Sequence, residues 1–123
     1  MWAFDVENVN EKINLLRRQE TQILEQRKRV HTPKLPARDV LVLDFKSHPA
    51  KKGFSTIEGQ ARMLHDLASI ELQAMELGLR TLLEFPDADP QFREELWRLT
   101  LSEAEHLEMC LSEIQAMGWS LVV

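Results

Sequence analysis

FREELWRLTLSEAEHLEMCLSEIQAM, residues 92–117, decides how the chain is read. At about 100° per residue, Phe92, Leu96, Leu99, Leu107, Cys110, Ile114 and Met117 fall on one stripe of a helix. Glu103 sits at the centre of that stripe, and His106 lies one turn further along on the same side. Glu94 and Glu108 point to the opposite face, while Glu95 and Glu113 lie at the edge. A carboxylate and an imidazole in an apolar seam lose hydration, which costs several kcal/mol unless something pairs with them. Glu-x-x-His is also the i,i+3 spacing with which helical bundles aim two ligands at one metal ion. The competing structural explanation is a Glu–His hydrogen bond that closes a bundle.

The preceding helix repeats the anomaly. Residues 56–85 read as helical, with Ile57, Leu64, Ala68, Met75, Gly78 and Leu82 on the stripe expected to be buried. Glu71 lies in the middle of it, whereas Glu58, Glu76 and Glu84 fall on the far side. The small residues Ala61, Ala68, Ala74 and Gly78 allow another helix to approach closely. His65 and Gln73 flank the stripe, as boundary residues or supports behind a ligand set. Gly53 supplies a break, Ser55 or Thr56 an N-cap, and Glu58 an acidic first turn.

PDADP, residues 86–90, ends this helix and starts the next, with Asp89 as N-cap and Pro90 at the first position. So short a linker makes the two helices antiparallel neighbours. Counted from Ala88, Glu71 lies 17 residues back, Glu103 15 forward and His106 18 forward. At ~1.5 Å rise per residue all three reach one level, about 22 to 27 Å from the turn. Gly118 stops the last helix, and residues 119–123 form a short apolar tail.

Upstream, residues 6–30 read as a first helix with Val9, Ile13, Leu16, Ile23 and Leu24 at helical spacing. Asn14, Gln19, Gln22 and Gln26 leave that stripe thin, which suggests docking on a partner helix rather than full burial. Residues 31–55 are interrupted by Pro33, Pro36 and Pro49 and contain the β-prone run DVLVLDF, residues 39–45. A lone strand has no partner here, so an extended arm laying Leu41, Leu43 and Phe45 on the bundle is expected. His31 and His48 sit beside prolines and read as surface residues. The resulting division is an N-terminal amphipathic helix (1–31), an extended linker arm (32–55) and a helical hairpin (56–123).

At 123 residues this is one all-α domain, small enough for partner subunits to supply part of its core. With 15 basic against 20 acidic side chains the net charge is −5, and nucleic acid is a poor default partner. The local basic clusters, Arg17-Arg18 and Arg27-Lys28-Arg29, read as a solvated helix face. Cys110, the single cysteine, excludes an internal disulfide and points to a reducing compartment; on an apolar stripe it reads as a small hydrophobe rather than a ligand or reactive thiol, or with His65 and Gln73 as a support behind the ligand set. No apolar run is long enough to cross a bilayer and no signal peptide opens the sequence, so a cytoplasmic protein is expected.

Glu71 with Glu103-x-x-His106 is half of a carboxylate-bridged dinuclear site of the kind ferritin-like bundles carry. Carboxylates with imidazole suit iron or manganese. The other half is expected from a second copy or from another protein; a second copy would dock through the face formed by helices 56–85 and 91–117, in a homodimer or higher homo-oligomer.

The stretch GFSTIEGQARMLHDLASIELQAMELGLRTLLEFPDADPQFREELWRLTLSEAEHLEMCLSEIQAMG, residues 53–118, resembles an uncharacterised bacterial ferritin-like family. That family carries a helix of the form G-R-A-x-L-L-H-x-x-x-H-I-E-L-Q-A-I-E-L, then a helix containing E-E-x-x-H-F. Gly59, Ala61, Leu64, His65, Ile70, Glu71, Leu72, Gln73, Ala74, Glu76, Leu77, Glu103 and His106 carry the match. Ser69 departs from it, standing where the family has a second histidine. The resemblance covers the first helix pair of that pattern, whose second pair carries the other Glu and ExxH. Its likeness to di-iron tRNA hydroxylases and other ferritin-like oxygenases implies metal binding on Glu71, Glu103 and His106, with no reaction assigned. Two function classes follow: a metal-dependent oxidoreductase, or a non-catalytic helical module that dimerises through the same stripe. The acidic balance gives an RNA-modifying role no support.

Overall fold

A computed structural model describes residues 1–39 and 55–118. Most of the β-prone run, His48, Gly53 and the apolar tail lie outside the described residues. A 3-10 turn, Ala3–Asp5, precedes four helices: α1 (Val9–Arg18), α2 (Glu20–Leu24), α3 (Ile57–Glu84) and α4 (Pro90–Ala116). Among the described residues there is no strand, and no helix is long and apolar enough to cross a membrane.

The two long helices form the expected antiparallel hairpin, with ends where local chemistry puts them. Thr56 caps α3 by accepting from the Gly59 amide at 3.0 Å. Asp89 caps α4 by accepting from Gln91 at 2.8 Å, with Pro90 in the first turn. Beyond α4, Gly118 takes a φ of 78°, the left-handed conformation glycine reaches without strain.

The first helix differs from the continuous span expected over residues 6–30. Asn8 caps α1 through the Glu11 amide, and the helix breaks at Gln19. After α2 the chain leaves helical geometry as its backbone groups find tertiary partners. The Ile23 carbonyl accepts from Arg93 at 3.0 Å, and Val30 donates to the Leu83 carbonyl at 2.9 Å. The thin stripe docks on helices of the same chain and, against expectation, is fully buried there: Val9, Ile13, Leu16 and Ile23 lie in one cluster with residues of α3 and α4. Arg17 and Arg18 are exposed as expected, and Arg17 pairs with Glu108 on α4 at 2.9 Å.

The buried side of α4 is also corrected. Phe92 and Leu99 are exposed, and the buried residues are Arg93, Trp97, Thr100, Ala104, Leu107, Leu111 and Ile114. The core face is thus turned by roughly 75° from the stripe centred on Glu103. On α3, Ile57 is exposed while Ala68, Leu72, Met75, Leu79 and Leu82 are buried. Glu76, expected on the far side, is buried as well.

Where the helices cross they nearly touch. A Cβ at Gly78 would stand 2.1 Å from Thr100 Oγ1, which is itself bonded to the Leu96 carbonyl at 2.7 Å. Gly78→Ala is therefore expected to force the helices apart and cost about 1–3 kcal/mol. The measurement is the thermal midpoint, and a variant as stable as the parent would show that the crossing yields freely.

Candidate metal centre

Glu71 comes from the middle of α3, and Glu103 and His106 from the facing stretch of α4. Their ligand atoms lie within 4.8 Å of one another, at the one level that counting from the turn places them. The His106 Nδ1 stands 3.7 Å from Glu71 Oε2 and 3.9 Å from Glu103 Oε2. Both separations exceed hydrogen-bond length, so the imidazole is not simply tied to either carboxylate. Donors that each hold one ion at about 2 Å stand roughly 3–4 Å apart, so small side-chain rotations suffice to fit one.

Burial within the cluster is graded. The side chains of Glu71, Glu103 and His106 are 16%, 22% and 54% exposed, so the histidine lies on the outer rim rather than inside a seam. Glu71 Oε2 is buried and has no hydrogen-bond partner. An acceptor taken from water with nothing to accept from is costly, unless a cation or donor meets it.

The flanking residues lie around the cluster rather than in it. His65 is half-buried, with Nδ1 2.7 Å from the Ala61 carbonyl. Gln73 is exposed and donates to Ser69, at 3.0 Å to Oγ and 3.2 Å to the carbonyl. Cys110, one turn beyond His106, is half-buried against the core, and burial pushes its thiol pKa up. Among the described residues no further His, Cys, Asp or Glu completes a group of metal-ligating type.

On the other side of α3, sequence reasoning misses a second charged cluster. Lys12 is fully buried, with Nζ 3.1 Å from Glu76 Oε2 and 3.1 Å from the Ala3 carbonyl. Arg38 Nε donates to Glu76 Oε1 at 3.1 Å. Burial lowers the Lys12 pKa from its ordinary 10.5, against the opposing pull of Glu76. The available signal was apolar spacing: Glu76 follows Leu72 by four and precedes Leu79 by three, and Lys12 lies between Val9 and Leu16. The same clasp closes the chain around residue 38, where Ala37 donates to the Phe4 carbonyl at 2.7 Å and Asp39 to that of Glu7 at 3.0 Å.

Fold and cluster together define a class: an antiparallel helical hairpin gathering two carboxylates and an imidazole across its seam. The chain belongs to an uncharacterised family, described as protein of unknown function (DUF455), whose match runs over residues 5–120. That match takes in the N-terminal segment, a longer reach than residues 53–118 on which the ferritin-like resemblance rests. No curated protein and no solved structure matches the chain.

Proposed function

We propose that this protein is a ferritin-like metal-binding protein that holds iron or manganese on Glu71, Glu103 and His106. A second subunit completes a dinuclear site, so that four carboxylates and two imidazoles converge. The observation that carries this reading is the buried Glu71 oxygen that accepts no hydrogen bond while facing two further donors. The donor set supports it too, since carboxylates with one imidazole suit Fe(II) and Mn(II), and a site built for zinc or copper(I) favours thiolate or more nitrogen.

Bound metal of this type supplies redox chemistry with O₂, which would make the protein an oxidoreductase. The chain's own part is simpler. Glu71 and Glu103 bring negative charge that a divalent cation neutralises, His106 adds a neutral donor at the rim, and the apolar walls beside Glu103 would exclude water once a second subunit covers them.

The second reading, a helical dimerisation module without chemistry, draws on the large apolar side chains exposed beside the cluster. Metal analysis separates the two. Untagged protein purified without chelator is expected to carry about one iron or manganese ion per chain. Glu103→Ala should reduce that at least tenfold, while Glu94→Ala, on the solvent face, should not change it. Metal-free wild-type protein that also takes up no Fe(II) or Mn(II) on titration would sink the proposal and favour the module.

A further inference from the structure

On the face of the hairpin that the N-terminal segment leaves open, a groove runs along the seam between α3 and α4. It reaches from Phe92, near the turn, to Glu103, and its volume of about 350 Å³ is that of a small-molecule site. Gly78 and Thr100 form its floor where the helices cross, and Leu77, Leu96 and Leu99 stand at its sides. Its far end is the metal cluster, since Glu103 belongs to both.

The groove offers an occupant a narrow chemistry. Among the described residues no Lys, Arg or His lines it, and Glu103 is its one ionisable group. Both of its hydroxyls are already engaged: Thr100 Oγ1 donates to the Leu96 carbonyl at 2.7 Å, and Thr81 Oγ1 to that of Leu77 at 2.8 Å. A polar group laid along the groove therefore loses water and finds no donor, and an anion is also repelled by Glu103. Apolar matter alone gains by entering. Shape narrows the class further. Glu103 follows Phe92 by eleven residues, which is about 16 Å of helix. Spread over that length, the volume leaves a section of roughly 20 Å², about the width of a single methylene chain.

We infer that the groove binds an unbranched, uncharged aliphatic chain laid along the seam, with one end beside Glu103. The binding itself stands on the lining and dimensions of the groove. What the chain is brought to rests on the metal-site reading: the substrate class of the proposed oxidoreductase is then aliphatic, and the covering subunit roofs the groove instead of filling it.

The test titrates the full chain, free of metal, with straight-chain primary alcohols from hexanol to tetradecanol by calorimetry. Each added methylene should tighten binding about twofold to fourfold. The gain should stop at about twelve carbons, where a chain advancing about 1.3 Å per carbon outgrows the groove. Highly branched isomers of decanol should bind at least tenfold more weakly than decanol. Ala74→Phe, which puts a ring into the groove, should weaken decanol binding at least tenfold with helicity unchanged by circular dichroism. Leu99→Asn, at an exposed position on the wall, carries the same test where the ring disturbs the fold. Ile57→Gln, exposed at the other end of α3, should leave binding as it is. In Mn(II)-loaded protein, proton relaxation of bound decanol should be graded along the chain and strongest at one end. Absence of binding, as when a covering subunit's side chains fill the groove, overturns the inference, and so does binding indifferent to chain length, branching and the groove variants. Decanol binding by protein that takes up no Mn(II) supports the groove and removes only the metal reading; Mn(II) uptake without decanol binding does the reverse.

Discussion

Glu76→Ala is expected to destabilise the fold by about 3–5 kcal/mol, the usual cost of removing one partner from a buried ion pair. In a domain of this size that lowers the thermal midpoint by roughly 10–20 °C. The reason is what remains: Lys12 is fully buried, and without the carboxylate its ammonium keeps its bond to the Ala3 carbonyl while the Arg38 guanidinium stands close by. Two cations then share a pocket that has lost the carboxylate held between them. The pH dependence follows with a definite sign. Burial already lowers the Lys12 pKa from 10.5, and loss of Glu76 lowers it further. The unfolded variant therefore binds more protons than the folded one, and stability rises as pH climbs towards about 10.5. The gap to wild type should narrow over that range. The double variant Lys12→Met, Glu76→Leu should recover much of the loss, because apolar groups of similar size need no counter-charge. A Glu76→Ala chain that melts with the parent at pH 7 would show that water reaches Lys12.

Arg93→Ala comes second, with an expected loss of roughly 3 kcal/mol. The Arg93 guanidinium donates to the Leu82 and Phe85 carbonyls at 2.6 and 2.9 Å, which closes the C-terminal end of α3, and to the Ile23 carbonyl at 3.0 Å. One fork thereby joins three segments and satisfies acceptors that the helix ends leave open. Arg93→Lys should rescue little, since a single ammonium cannot span the positions that a planar fork reaches. Hydrogen exchange gives the distinguishing signature. Amides of residues 20–30 should lose protection first, whereas those in the middle of α3 and α4 keep theirs. Uniform loss across the chain would mean that Arg93 supports the hairpin rather than the attachment of α2.

These two residues also mark where sequence reading stops. Caps and turns were legible because their chemistry is local: Thr56, Asp89, Pro90 and Gly118 each act within a few residues of themselves. The level shared by Glu71, Glu103 and His106 was legible too, since rise per residue and a short turn fix it. Which side of α4 is buried was not, although on α3 Ala68, Met75, Gly78 and Leu82 are buried as expected. Helix α4 carries apolar residues at Phe92, Leu96 and Leu99 as well as at Trp97, Leu107 and Ile114, and periodicity alone merges the two sets. Only the N-terminal segment decides between them, by covering one. Glu76 and Arg93 are charged residues at core positions, and each is explained by partners far away in sequence: Lys12 and Arg38 for the first, Ile23 for the second. The end of α2 has the same origin, because a chain rich in Gln, Arg and Lys favours helix until a distant donor, here Arg93, claims the Ile23 carbonyl.

The clasp between the N-terminal segment and α3 carries a consequence for the order of events during synthesis. Phe4, Ile13 and Leu16 leave the ribosome before the surface that hides them, which is made only when residues 68–114 have followed. The hairpin closes through a five-residue turn and can form quickly once made, while bonds such as Lys12–Glu76 must wait for a loop of more than sixty residues to close. These apolar residues thus stay without their cover until α4 emerges, and in that interval chaperone binding or aggregation competes with folding.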